Sequence, residues 1–177
     1  MADTPEKPVT DDESKRQRER VERLLLQAAQ TSTGSVTIDG TRLDYTATAG
    51  FVPVVANMSD SHKGEPDAAL FLTSYALRRD GASPTSADRP ILFAFNGGPG
   101  SASVWLHLGA LGPKRVPIND DGSMPAPPYQ VEDNPHSWFA HFDLVFVDPP
   151  HTGYSLTASE AARKKMLGVD GDVEALA

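Results

Sequence analysis

The chain has 177 residues, no cysteine and a formal net charge of −8, and is 39% hydrophobic and 23% charged. A chain of this length can bury one real core. The lack of cysteine excludes disulfides, thiolate nucleophiles and cysteine-ligated metals, and the acidic balance without a basic stripe argues against a nucleic-acid binder. No apolar run approaches the ~20 residues of a membrane helix, so no membrane partner is expected. Met1–Arg16 lacks the apolar core of a secretory signal. The cytoplasm is therefore the default expectation, with a periplasmic or secreted protein as the alternative.

Residues 1–9 carry prolines and scattered charges and read as disordered. Thr10 and Glu13 fit a capping box, opening a predicted helix from Asp11 to Gln30 whose apolar Val21, Leu24, Leu25 and Ala28 recur at helical spacing. Its polar first half reads as a solvated extension, a partner-docking helix being the other reading. Residues 1–33 are accordingly set apart from a domain spanning 34–177. From Ser35 the period becomes two: Val36 and Ile38, then Asp39-Gly40, then Leu43 and Tyr45, a pattern that predicts a type I′ hairpin. Phe51–Val55 extends this sheet, with Pro53 favouring an edge. Ser59–Asp67 reads as loop, Ala69–Leu77 as a strand, Arg78–Arg89 as a polar turn, and Pro90–Phe95 as a strand buried on both faces. A helix over Val104–Leu111 follows, stopped by Gly112-Pro113. Residues 113–137 hold six prolines and read as a long irregular excursion. Phe142–Val147 is a second buried strand. A helical start near Asp170 runs to Ala177 without a cap, which reads as a domain incomplete at its C-terminus.

The chemistry concentrates between the strand at 90–95 and the helix at 104–111, in Asn96-Gly97-Gly98-Pro99-Gly100-Ser101-Ala102-Ser103. A phosphate-binding P-loop needs Lys-Ser/Thr after its last glycine, and a dinucleotide fingerprint needs a third glycine where Ser103 stands. Neither is met. Two readings remain: a tight structural turn, or backbone amides placed to stabilise a developing oxyanion. No Gly-x-Ser-x-Gly elbow exists in the chain. Ser155 lies too far past its strand for a nucleophile elbow, and Ser101 is no better placed. The five histidines (62, 107, 136, 141, 151) show no metal spacing, so neither metal nor cofactor is expected. His107, between two leucines, reads as a packed helix residue, and Asp148, at a strand end, as a turn-capping carboxylate.

The turn at 96–103, Leu108-Gly109-Ala110-Leu111-Gly112-Pro113, Asn134-Pro135-His136-Ser137-Trp138, and Asp148-Pro149 with Thr152-Gly153-Tyr154-Ser155 together resemble the serine carboxypeptidases of peptidase family S10. The resemblance implies an α/β-hydrolase fold, of which this would be the N-terminal part: antiparallel strands leading into a parallel sheet. It implies a peptide substrate cleaved at its C-terminus, with the Gly98 backbone N–H as oxyanion-hole donor and Asn96 and Gly97 holding the substrate's terminal carboxylate. It places the catalytic Ser, Asp and His beyond Ala177, so the chain alone should be inactive. A non-catalytic peptide-binding module and an esterase or acyltransferase of the same family are the alternatives. Three departures stand out. Ala110 occupies a position where many members have a substrate-holding glutamate. His151 replaces a glycine, which should rearrange its turn. Ser101 stands where eukaryotic members have a disulfide cysteine, which implies a bacterial-type branch.

Overall fold

The structure, a computed structural model, describes residues 11–55, 64–78, 89–97 and 100–176. In chain order it comprises α1 (Asp11–Leu25), β1 (Gln30–Ile38), β2 (Thr41–Val54), β3 (Ala68–Leu77), β4 (Ile91–Ala94), α2 (Val104–Leu106) continued by a π-helical segment (His107–Leu111), β5 (Lys114–Arg115), β6 (Glu132–Asp133), a 3-10 turn (Trp138–Ala140), β7 (Asp143–Val147), β8 (Leu156–Thr157), α3 (Glu160–Met166) and α4 (Val169–Leu176). The main sheet runs β1-β2-β3-β7-β4, with β8 added to the start of β3. Its pairs are antiparallel except β4 with β7, which is parallel. The fold is mixed α/β with a mostly antiparallel sheet.

The expected hairpin is present. Ile38 pairs with Thr41, and the two residues between them, Asp39 and Gly40, have φ of 49° and 75°, the left-handed pair a type I′ turn requires. Alternation along β3 divides the core. Ala68, Leu70 and Leu72 pack with Met166 of α3 and Ala175 of α4, while Ala69 packs with Val21 of α1 and Phe71 meets Phe51. A larger cluster joins Val36, Ile38, Tyr45 and Tyr75 to Phe139, Leu144 and Phe146.

Several expectations are corrected. The first helix ends at Leu25 rather than Gln30, because Gln30–Gly34 is taken into β1 opposite Tyr45–Ala49; strand pairing overrides local helical spacing. That helix is not merely solvated. Gln17 Nε2 donates to the Thr157 carbonyl (2.9 Å) and Arg18 bonds Glu65 (2.8 Å), so its polar half is tied to the body. Phe51–Val54 continues β2 without a break, and Pro53 lies past the end of β1, where β2 has only β3 as a neighbour. The excursion at 113–137 is closed at its base by the β5–β6 ladder, with Lys114 paired to Asp133 and Arg115 to Glu132. Helix α3, unforeseen, starts at Ser159, whose Oγ accepts the Ala162 N–H at 3.1 Å. The strand at 90–95 is not buried on both faces: β4 is an edge strand, with Ile91 56% and Phe93 62% exposed. Thr10 of the capping box, most of the 59–67 loop and the 78–89 turn, and His62 lie outside the described residues.

Candidate active site

Because β4 and β7 are parallel, their C-terminal ends bring two loops together, Asn96–Ser103 and Asp148–Ser155. Of the residues expected to bind substrate, Asn96 and Gly97 stand at the mouth of a cleft of about 260 Å³, lined also by Gly100, Pro150, Met166 and Asp172. Gly98, the expected oxyanion donor, lies outside the described residues, as does Pro99. Asn96 Oδ1 accepts the Leu106 N–H at 3.3 Å. That contact fixes the side-chain amide so that its Nδ2 donors, which have no partner among the described residues, belong to a residue lining the cleft. A side-chain amide donor lining a cleft suits an anionic ligand.

Beneath the turn, side chains replace regular structure. The Asn96 N–H donates to Ser103 Oγ (3.1 Å), Ser103 Oγ donates to the Val147 carbonyl, and the Ser103 N–H donates to Asp148 Oδ1 (2.8 Å). Asp148 Oδ2 accepts the Tyr154 N–H at 3.1 Å. Asp148 is therefore the turn-capping carboxylate expected, shared between two loops. Gly153 has φ of 52°, and a Cβ there would overlap the Asp148 carboxylate. His151 has a left-handed φ of 62°, a conformation that its Cβ disfavours.

The helix after the turn is α-helical for three residues and π-helical for five. Its wide end is held by the Asn134–Trp138 motif: Asn134 Nδ2 donates to the carbonyls of Ala110 (2.7 Å) and Gly112 (2.9 Å), and Ser137 Oγ to that of Leu111 (2.7 Å). Those are carbonyls a helix end leaves unpaired. This coupling is a physical link between the two motifs that the pattern of residues alone did not give.

His107 hangs from the π segment into the core, stacked on Phe146 at 4.6 Å and bonded through Nε2 to the Tyr75 hydroxyl at 2.6 Å. Burial pushes the imidazole pKa down to about 4 and the phenol up to about 12, so both are neutral at pH 7 and His107 is a packing residue, as expected. Ser155 is likewise structural. It is 6% exposed, and its Oγ accepts the Phe71 N–H (2.8 Å) and donates to the Asp148 carbonyl (2.7 Å). His136 and His141 line a different cavity at the opposite end of the β4–β7 pair, with Trp138 and Phe142. No cluster of three or more metal-ligating side chains occurs among the described residues.

The chain is 29% identical over 107 residues to carboxypeptidase Y homolog A of Botryotinia fuckeliana, covering 60% of this chain and 17% of that protein. It is 31% identical over 115 residues to serine carboxypeptidase-like 50 of Arabidopsis thaliana (63% and 21%), and 32% identical over 109 residues to pheromone-processing carboxypeptidase KEX1 of Saccharomyces cerevisiae (61% and 13%). The matches thus span about a fifth or less of the length of these relatives. The family model for serine carboxypeptidase matches residues 41–171, which takes in the turn at 96–103, the π segment, the Asn134 motif and the Asp148 loop, and the chain belongs to the serine carboxypeptidase family, S10.

Proposed function

We propose that this chain is the N-terminal part of an α/β-hydrolase-fold serine carboxypeptidase that removes C-terminal residues from peptides. Asn96 and Gly97 bind the substrate's terminal carboxylate, and the Gly98 N–H stabilises the tetrahedral oxyanion. The nucleophilic serine and its Asp and His partners come from a portion of the protein outside these 177 residues. The observation that carries this reading is the cleft beside β4, which Asn96 and Gly97 line together with Pro150, Met166 and Asp172. Among the described residues no strand pairs with the outer flank of β4, which supports it, since a further strand there would complete both sheet and cleft.

The test uses the full-length protein containing this chain and a blocked dipeptide with a free or amidated C-terminus. Release of the terminal residue from the free acid, lost on amidation, is the expected result. Equal cleavage of both, or labelling of a serine within this chain by a fluorophosphonate, overturns the reading. One observation favours a second reading: Ala110, exposed beside the turn, brings no carboxyl group to hold a substrate carboxylate. An esterase or acyltransferase would turn over acyl esters without cleaving peptides.

A further inference from the structure

Asp148 sits in an unusual place for an acid. It lies 8% exposed under a turn read here as anion-binding, and it makes no ion pair among the described residues. A carboxylate there opposes anion binding by simple Coulomb repulsion, so its presence calls for another reason.

That reason is geometric. Its two oxygens accept one backbone N–H from each loop, Ser103 at 2.8 Å and Tyr154 at 3.1 Å. An ionised carboxylate accepts on both oxygens, whereas an asparagine would set its NH2 group against one of the two donors. The missing Cβ of Gly153 leaves room for it. Ser103, 2% exposed, passes the constraint on: its Oγ accepts the Asn96 N–H at 3.1 Å. Asn96 in turn is fixed by the Leu106 N–H. A continuous chain of hydrogen bonds therefore runs from the end of β7 to the first residue of the substrate-binding turn.

We propose that Asp148 and Ser103 are positioning residues that hold Asn96, the first residue of the glycine turn, in place for the transition state. The inference rests on the carboxypeptidase reading above. A turn that stabilises charge developing in the transition state loses kcat when its amides shift, and small displacements are enough.

The experiment compares Asp148→Asn and Ser103→Ala in the full-length protein, with thermal melting to establish that each variant is folded. The expected result is a loss of at least about tenfold in kcat/KM for each variant. The sign for Asp148→Asn is diagnostic. Removing a negative charge beside an anion site would strengthen binding and turnover if charge were all that mattered. Folded variants with wild-type kcat/KM, or a gain in Asp148→Asn, overturn the proposal. Should Asp148→Asn fail to fold, Ser103→Ala, which leaves the Asp148 carboxylate in place, decides alone. Amide hydrogen exchange on the wild type adds a readout independent of activity: the Asn96, Ser103 and Tyr154 amides are expected to be protected, and exchange at unstructured rates overturns the brace. A wild-type protein that turns over no acyl substrate defeats the carboxypeptidase reading instead, and the exchange measurement still judges the brace.

Discussion

At the scale of single residues, two histidines set measurable properties. His107 has a folded pKa of about 4 against an ordinary value of 6.5. The unfolded chain therefore takes up a proton near pH 6.5 that the folded chain refuses. Its contribution is fully present above that pH and is lost as pH falls towards 4, a change on the order of 3 kcal/mol. Replacing His107 with Phe alone would orphan the Tyr75 hydroxyl. The double variant His107→Phe, Tyr75→Phe should instead flatten this part of the acid limb, as read from denaturant midpoints across that range. A variant as acid-sensitive as wild type would show that other groups govern the loss. His151 carries φ of 62° with a Cβ, a conformation costing about 1–2 kcal/mol, of which a glycine's extra chain entropy returns about 0.5–1. His151→Gly should raise stability by roughly 0.5–1 kcal/mol by the same measurement, and a lower midpoint would mean that the imidazole earns more in contacts than the strain costs.

At the scale of elements, the π segment depends on side chains remote in sequence. Asn134 is 2% exposed and satisfies two carbonyls at once. Asn134→Ala leaves the buried Gly112 carbonyl without a donor and the exposed Ala110 carbonyl to water, so it should cost about 1–3 kcal/mol and loosen the helix that follows the turn. Chemical denaturation checks the cost, and a loss below about 0.5 kcal/mol would mean that water replaces the donor. Hairpin, β3 and β7 were legible because each has the period or turn residues that its state requires: Asp39-Gly40 between alternating runs, and the apolar blocks Ala69–Leu77 and Phe142–Val147. The end of α1 was not legible. Gln30–Gly34 is polar and becomes strand only because β2 offers a ladder to it. The change from α to π geometry was equally hidden, since its support comes from Asn134 and Ser137, more than twenty residues further along.

At the scale of the whole molecule, β4 dominates. The apolar run at 90–95 reads as a doubly buried strand, yet Ile91 and Phe93 are exposed on the four-residue edge strand and Phe95 is exposed just past it, and no residue of the strand itself carries a charge. Such an edge is prone to pair with another chain. The 177-residue chain should therefore self-associate with rising concentration, and Phe93→Lys should reduce this in sedimentation or light scattering. A wild-type chain that stays monomeric throughout would show that the edge is protected.

The sequence by itself determined the hairpin and the main strands, because these reside in contiguous residues whose types local backbone geometry dictates, and its motifs carried the resemblance to the family. It also pointed to Asp148 as a cap. Only the tertiary structure decided what is capped. The carboxylate of Asp148 joins two loops 45 residues apart through Ser103, and that pairing follows from β4 and β7 lying parallel side by side. Burial, likewise, belongs to the assembled sheet: the same apolar run is core or bare edge according to the neighbour it finds.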